Sequence, residues 1–444
     1  MPDSLSTAPT KILRARLVAP VSRPPIENGA IRIQGERIVE VDDYTNLNRP
    51  ADHELIDLGE SILLPGLINS HCHLDYTDMA GMIPPQKLFS DWIKSIIAIK
   101  ASWSYTEFAQ SWIRGARMLE KHGVTSVVDI EAVPELLPEV WQGTPLRVSS
   151  CFEMINLRSK EDPAGLVETN LRRSHELEAE HRNRCGLSPH APYTTTAALR
   201  AAASKRAQEE HRLITTHVAE SSEEAEMYQS ASGPLHDWLR PQNDAEHCGE
   251  GSPLQILERT GYLKYPLLAA HVNELAPGDE QLLAANRTSV VHCPQSHTFF
   301  NHTPFPWQRL EQAGVNLTLG TDSLASIIGG KRQKPELNLF AEMASLASRS
   351  DAPQPATILR WATMNAAEAL FLSDQLGRLE PGYLADVIAI PFAGSLSKAT
   401  EAIVFHEGPV KLSLIDGKQV YPHPPQTFDP AERTLHPTAE GGHS

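Results

Sequence analysis

From about residue 62 to 373 the chain alternates short apolar runs with longer amphipathic ones, and it completes that alternation eight times. The apolar runs lie at 62–68, 124–130, 146–152, 185–188, 213–217, 267–270, 289–291 and 315–319. Each is too short for a buried helix and mostly lacks the polar alternation of a half-exposed strand, so each predicts a strand covered on both faces. Between them, 108–122, 195–211, 222–229 and 277–285 repeat apolar residues at helical spacing. Strand and helix in turn, eight times, predict an α/β fold: a TIM-like (β/α)₈ barrel over 65–374.

The two ends have a different texture. Runs at 12–18, 30–34 and 37–41, and again at 387–390, 410–415 and 417–421, are short, β-rich and separated by Pro, Asn-Gly and Gly-Glu turn residues. The stretch 377–386 reads the same way. These pieces predict a small β-sandwich built from both ends, residues 1–64 and 375–444, around the barrel. From Pro425 onward the chain is polar and Pro-rich, and is expected to be loose.

Composition then removes function classes. Of 444 residues, 39 are Lys or Arg and 55 are Asp or Glu, a net charge of −16 that leaves no basic stripe for nucleic acid or an anionic membrane. No run of about 18 apolar residues is present to span a bilayer. The opening MPDSLSTAPT has neither a basic nor an apolar signal region, and the five cysteines are scattered without a C-x-x-C pair. A cytoplasmic protein acting as a homodimer on a small molecule is expected. Phosphate-cradling glycine motifs are missing. His175-Glu176 with His181 imitates a zincin helix, but a spacing of six puts the two histidines on different faces.

The ends of the apolar runs carry the chemistry. His71-Cys72-His73 follows the first run, and in extended chain residues i and i+2 point the same way. The fifth run ends in His217-Val218-Ala219-Glu220, the sixth in His271, and the eighth in Gly320-Thr321-Asp322. Barrel enzymes place their chemistry at that edge. His71, His73, His217 and Asp322 can close around one divalent ion, Zn²⁺ or Fe²⁺, as an N₃O donor set.

Here a resemblance becomes specific. Leu64-Pro-Gly-Leu-Ile-Asn-Ser-His-Cys-His73 resembles the opening motif of the amidohydrolase superfamily. Gly186-Leu-Ser-Pro-His-Ala-Pro-Tyr193, His292-Cys-Pro-Gln-Ser296 and Leu319-Gly-Thr-Asp-Ser323 are similar to its aminohydrolase branch, which holds cytosine/guanine-type deaminases and triazine hydrolases. Ala362–Ala367 and Gly377–Asp386 resemble its closing segments. The resemblance implies a single ion on His71, His73, His217 and Asp322, with Glu220 as proton shuttle and His271 as second general acid/base. It implies that His190, in the place where other members carry a metal-bridging lysine, touches substrate, and that Ser323 lies beside it. His292 is equally compatible with packing and with a ligand contact.

These residue types suit hydrolytic deamination of an amidine-like heterocycle. A bound divalent ion brings the pKa of water to about 7, Asp322 can accept its proton, His271 can orient it, and Glu220 can protonate a ring nitrogen. The pattern His71-x-His73-Leu74-Asp75-Tyr76, followed by Phe89-x-x-Trp92, is most similar to aminodeoxyfutalosine deaminases of menaquinone biosynthesis, implying a 6-aminopurine nucleoside. Phe89 and Trp92 then either wall the purine or pack a helix, and Glu153, ending the third run, either meets a ribose hydroxyl or is a surface acid. The long segment 75–93 is too large for a tight turn and suits a pocket reaching past the ring. Methylthioadenosine, S-adenosylhomocysteine, guanine and triazines remain as alternative substrates. The rival classes are a ring-opening amidohydrolase and a non-catalytic scaffold.

Overall fold

The structure, a computed structural model, describes residues 9–157, 162–241, 246–328 and 334–423. The stretch expected to be loose, from Pro425, lies outside them.

Eight parallel strands arise from the eight apolar runs: β1 (Leu67–Cys72), β2 (Val124–Glu131), β3 (Arg147–Met154), β4 (Arg184–Pro189), β5 (Thr215–Val218), β6 (Leu268–His271), β7 (Ser289–His292) and β8 (Leu317–Leu319). They form two four-stranded sheets, in the orders β4-β3-β2-β1 and β5-β6-β7-β8. Single parallel bridges, Leu187 to Ile214 and Cys72 to Asp322, link the edges of one sheet to the edges of the other. All eight residues of β2 are buried, as a strand covered on both faces requires.

Helices cover the strands. In the second, α2 (Tyr105–Lys121), the N-cap Ser104 accepts from the Glu107 amide while Glu107 reaches back to the Ser104 amide. Its Phe108, Trp112, Ala116 and Leu119 recur at three- and four-residue steps and are buried against the sheet. The first helix, α1 (Phe89–Lys100), is the one on which Phe89 and Trp92 lie, and it starts inside the 75–93 segment. It begins nine residues after the short 3₁₀ helix Leu74–Met79, so the 75–93 segment is more ordered than its length implies.

The chain ends build two antiparallel-rich sheets. One has the order Arg37–Asp43, Gly29–Gln34, Thr10–Arg14, His53–Asp57; the other runs Lys418–Tyr421, Leu412–Ile415, Val387–Pro391, Ser61–Pro65, Leu17–Val18, Ile26–Glu27. One apolar cluster takes Leu13, Ile31 and Ile38 from the first sheet and Leu63, Val387 and Leu414 from the second.

Three sequence readings need correction. The run 12–18 is two strands in different sheets, Thr10–Arg14 and Leu17–Val18. The run 62–68 is also split: Ser61–Pro65 pairs antiparallel with Val387–Pro391, and β1 begins only at Leu67. The change of sheet falls at Gly66, where a Cβ would stand 2.2 Å from Thr125 Oγ1. Consequently β1 runs on to Cys72, and His71 sits within the strand and does not follow it. The stretch 377–386 forms no strand; its Leu379 and Ala385 amides instead donate to the Pro20 and Glu36 carbonyls. A continuous apolar run states burial, not which sheet does the burying.

Candidate metal centre and active site

The first and last barrel strands meet where the two donor motifs end. The amides of Thr321 and Asp322 both donate to the His71 carbonyl, at 3.0 and 3.1 Å. That approach depends on Gly320, because a Cβ there would lie 2.7 Å from the His71 oxygen. Asp322 (φ 53), His271 (φ 73), Val272 (φ 50) and Ala219 (φ 51) all occupy the left-handed region although none is glycine. Such backbone is strained, and here it gathers at the C-terminal ends of β5, β6 and β8.

The side chains converge accordingly. His73 Nε2 and His217 Nε2 are 3.3 Å apart. Asp322 Oδ1 is 3.8 Å from His71 Nε2 and 3.7 Å from His73 Nε2. His71, His73 and His217 bring donor atoms within 4.8 Å of one another, and so do His71, His271 and Asp322. Two nitrogens that share a tetrahedral ion at about 2.0–2.1 Å stand about 3.3 Å apart. Both ring nitrogens of His71 and Nδ1 of His73 are buried without a hydrogen-bond partner. His217 Nδ1 lies 2.9 Å from the His190 carbonyl, which makes Nδ1 the protonated atom and turns the Nε2 lone pair toward the other rings. Asp322 Oδ2 accepts from Ser296 Oγ at 2.6 Å and Ser326 Oγ at 3.1 Å, leaving Oδ1 to the histidines. The arrangement fits a divalent cation.

Electrostatics agree with that fit. Burial, reinforced by the neighbouring imidazoles, holds His71, His73 and His271 well below the ordinary histidine range, so they present neutral, ligand-competent rings. Burial pushes His190 down to about 3. Burial, then the nearby Asp322 and Glu224, drives Glu220 well above the usual carboxylate range, which favours its protonated form. Glu220 Oε1 faces His271 Nε2 at 3.7 Å. Glu220's own backbone is pinned by Glu224, which accepts from its amide, and by Asn273, which donates to its carbonyl.

Above these groups opens a cavity with a polar floor and apolar walls. His73, His190, His217, Glu220, His271, Asp322 and Ser323 line the floor. Phe89 and Trp92 both line the wall, and both also pack on Phe300, so packing and lining the cavity are compatible for both residues. Glu153 is buried in the lining and is no surface acid. Alone its burial would raise its pKa, but Lys100 and then His190 beside it bring it below the ordinary range. His292 stands apart: its ring stacks on Phe305 at 3.9 Å and does not line the cavity.

Sequence reasoning missed Lys100, Tyr193 and Trp238, which also line the cavity. Lys100 had a signal. Phe89, Trp92, Ile93, Ile96 and Lys100 fall on one face of α1, a stripe readable once the segment is taken as helical.

A model of the amidohydrolase family matches residues 62–420. The 5-methylthioadenosine/S-adenosylhomocysteine deaminase of Thermococcus onnurineus is 30% identical over 404 residues, 87% of this chain and 88% of its own length. The same-named protein of Teredinibacter turnerae is 31% identical over 354 residues, 76% and 73%. Among solved structures, Helicobacter pylori aminofutalosine deaminase in complex with methylthio-coformycin superposes with a TM-score of 0.80 at 21% identity, covering 92% of this chain and 100% of that one. A zinc-bound adenosine deaminase from Xanthomonas campestris gives 0.78 at 23% identity, covering 92% of each chain. These superpositions establish a TIM-barrel-like α/β fold.

Proposed function

The chain belongs to the amidohydrolase family, and from that premise we propose that it is a metal-dependent deaminase releasing ammonia from a 6-aminopurine nucleoside. The observation that carries this reading is the convergence of His71, His73, His217 and Asp322 at the base of a cavity with apolar walls, with Glu220 beside them. His71, His73, His217 and Asp322 would hold one divalent ion, Zn²⁺ or Fe²⁺. Such an ion, when bound, makes water acidic enough to supply hydroxide near neutral pH.

The chain's own groups perform the remaining steps. Glu220 gives its proton to a ring nitrogen of the amidine, which makes the adjacent carbon electrophilic. His271, neutral and across from Glu220, orients the attacking water, and the Asp322 carboxylate takes that water's proton. The tetrahedral carbon then expels the amine as ammonia with the proton Asp322 took from water, while the new hydroxyl returns its proton to Glu220 as the carbonyl forms. His190, Ser323 and Glu153 are assigned to the substrate, with Phe89 and Trp92 as an aromatic wall.

The two parallel sheets are read as one ring, supported by the bridges at both seams. The chain-end sheets are read as a sandwich sharing one apolar cluster, with the divisions at 64/65 and 374/375.

For the nucleoside itself, aminodeoxyfutalosine is preferred, because the apolar wall continues to Ile97, Ile155 and Trp238, past the reach of a bare ring. The second reading is methylthioadenosine or S-adenosylhomocysteine, the substrates named for relatives about 30% identical. The test is a panel of aminodeoxyfutalosine, methylthioadenosine, S-adenosylhomocysteine, adenosine, guanine and a triazine, followed by loss of substrate absorbance and by ammonia release. Aminodeoxyfutalosine should give the highest kcat/KM. A faster guanine or triazine would overturn the nucleoside assignment, and ring opening without ammonia would overturn the deaminase reading.

A further inference from the structure

Helix α1 contributes Phe89, Trp92, Ile93, Ile96, Ile97 and Lys100 to the cavity, more than any other single helix. Its N-terminus is capped in an unusual way. The N-cap residue, Leu88, has extended backbone and no side chain able to accept a hydrogen bond. The two first amides of the helix donate instead to the carboxylate of Glu223: Phe89 N to Oε1 at 2.6 Å and Ser90 N to Oε2 at 3.3 Å. Other long helices are capped by the residue that immediately precedes them, Ser104 for α2, Asp162 for Pro163–Glu180 and Thr196 for Ala197–Glu210. A local cap of that kind stabilises its helix and nothing else.

Glu223 is different in where it comes from. It is 134 residues from Phe89, three residues past Glu220, in the first turn of the helix Ser222–Ser230. Its carboxylate is buried between the positive ends of two helices, a charge-assisted, two-pronged contact between the pocket wall and the segment that carries His217 and Glu220. Two weaker ties hold the rest of α1 to the same barrel face: Trp92 Nε1 donates to the Ala325 carbonyl at 3.4 Å, and Lys100 Nζ stands 3.6 Å from Glu153 Oε2.

We infer that Glu223 is a positioning residue: it sets the spacing between the aromatic wall on α1 and Glu220, and through that spacing the affinity for the heterocycle. This rests on the functional reading above. It adds a residue that touches neither substrate nor metal and that no motif singled out.

The experiment compares Glu223→Gln, Glu223→Ala and the double variant Glu223→Ala/Leu88→Asp, each with metal content, Tm, kcat and KM. The assay uses whichever amino heterocycle the wild type turns over fastest. Glu223→Gln keeps the shape but loses one acceptor and the charge; it should raise KM about five- to tenfold with kcat within about twofold and metal unchanged. Glu223→Ala should raise KM further and lower Tm. In the double variant, Asp at the N-cap supplies α1 with a cap of its own, so Tm should return while KM stays high. KM returning together with Tm would make Glu223 a helix cap alone and overturn the inference. A fall in kcat at unchanged KM would overturn it too, and Glu223→Gln decides the matter if the alanine variant does not fold. A fastest substrate that is not an adenine nucleoside sinks the functional reading, yet the KM split still judges Glu223. A wild type that deaminates nothing sinks both.

Discussion

The mouth of the barrel and the seam between barrel and end sheets both bury charged side chains, but they treat them in opposite ways. At the seam, Arg147 on β3 lies 2.8 Å from Asp416 and 3.4 Å from Asp386, and Arg182 adds a 2.7 Å contact to Asp416. Lys411 donates to the Leu58 carbonyl. At the mouth, both His71 nitrogens and His73 Nδ1 are buried with no hydrogen-bond partner among the described residues, and Glu220 lies 3.7 Å from the His271 ring. A buried polar group without a partner costs about 1–3 kcal/mol. At the seam each of these carboxylates meets a guanidinium although Arg147 Nε lacks a partner, whereas at the mouth the unpartnered atoms gather on the candidate ligands, as expected of groups held for something that binds. The difference separates scaffold from site better than burial does.

The comparison can be broken most directly at Asp322. Asp322→Asn should remove the bound metal and at least roughly 10³-fold of kcat, read by metal analysis beside the deamination assay; full activity in a metal-free preparation would end the metal reading. Next is Glu220→Gln, expected to keep metal and substrate affinity yet lose at least roughly 10²-fold in kcat. Loss of metal in that variant would make Glu220 a ligand. At the seam the pattern should reverse. Arg147→Met leaves Asp386 without its cation while Asp416 keeps Arg182, so chemical denaturation should show a loss of about 3 kcal/mol, with kcat unchanged in the folded protein.

Glu120 sharpens the contrast, since it lies outside the mouth yet is poorly satisfied. It is buried, accepts from Thr144 Oγ1 at 2.6 Å, has His423 at 3.7 Å, and is pushed by burial up to about 7. Its folded form prefers the proton, so ionising it costs stability. That cost is absent below about pH 4.5, grows as pH rises, and is complete above about pH 7. Glu120→Gln should therefore gain on wild type between pH 5 and 8 by on the order of 2 kcal/mol; a pH-independent difference would show that Glu120 titrates normally. The smallest effect belongs to Trp92→Ala, which should raise KM by roughly tenfold or less, about 1 kcal/mol of stacking, and leave metal content and the pH dependence of kcat alone. An unchanged KM would reduce Trp92 to packing against Phe300.

Local pattern carried much of this protein. Apolar runs with no polar alternation can only be strands covered twice, and eight of them with helices between leave few architectures. Ligand-type residues directly after those runs, His71, His73, His217, His271 and Asp322, mark the edge where the chemistry gathers, because strand geometry decides where a run's last side chains emerge. What local pattern cannot carry is the identity of a distant partner. Residues 62–68 read as one strand, and only the pairing of Ser61–Pro65 with Val387–Pro391 and of Leu67–Cys72 with Val124–Glu131 shows that the chain changes sheets at Gly66. His271 and His292 end neighbouring strands in the same way, yet one ring faces Glu220 and the other lies on Phe305. Lys100 reaches Glu153, and Glu223 reaches across 134 residues to Phe89. Periodicity is a property of neighbours along the chain, so the sequence by itself determined the strands, their number and the residue types at their ends. Pairing across the fold depends on where independent segments come to rest, so the turning of each side chain, toward the metal centre, the pocket wall or the core, was decided only by the tertiary structure.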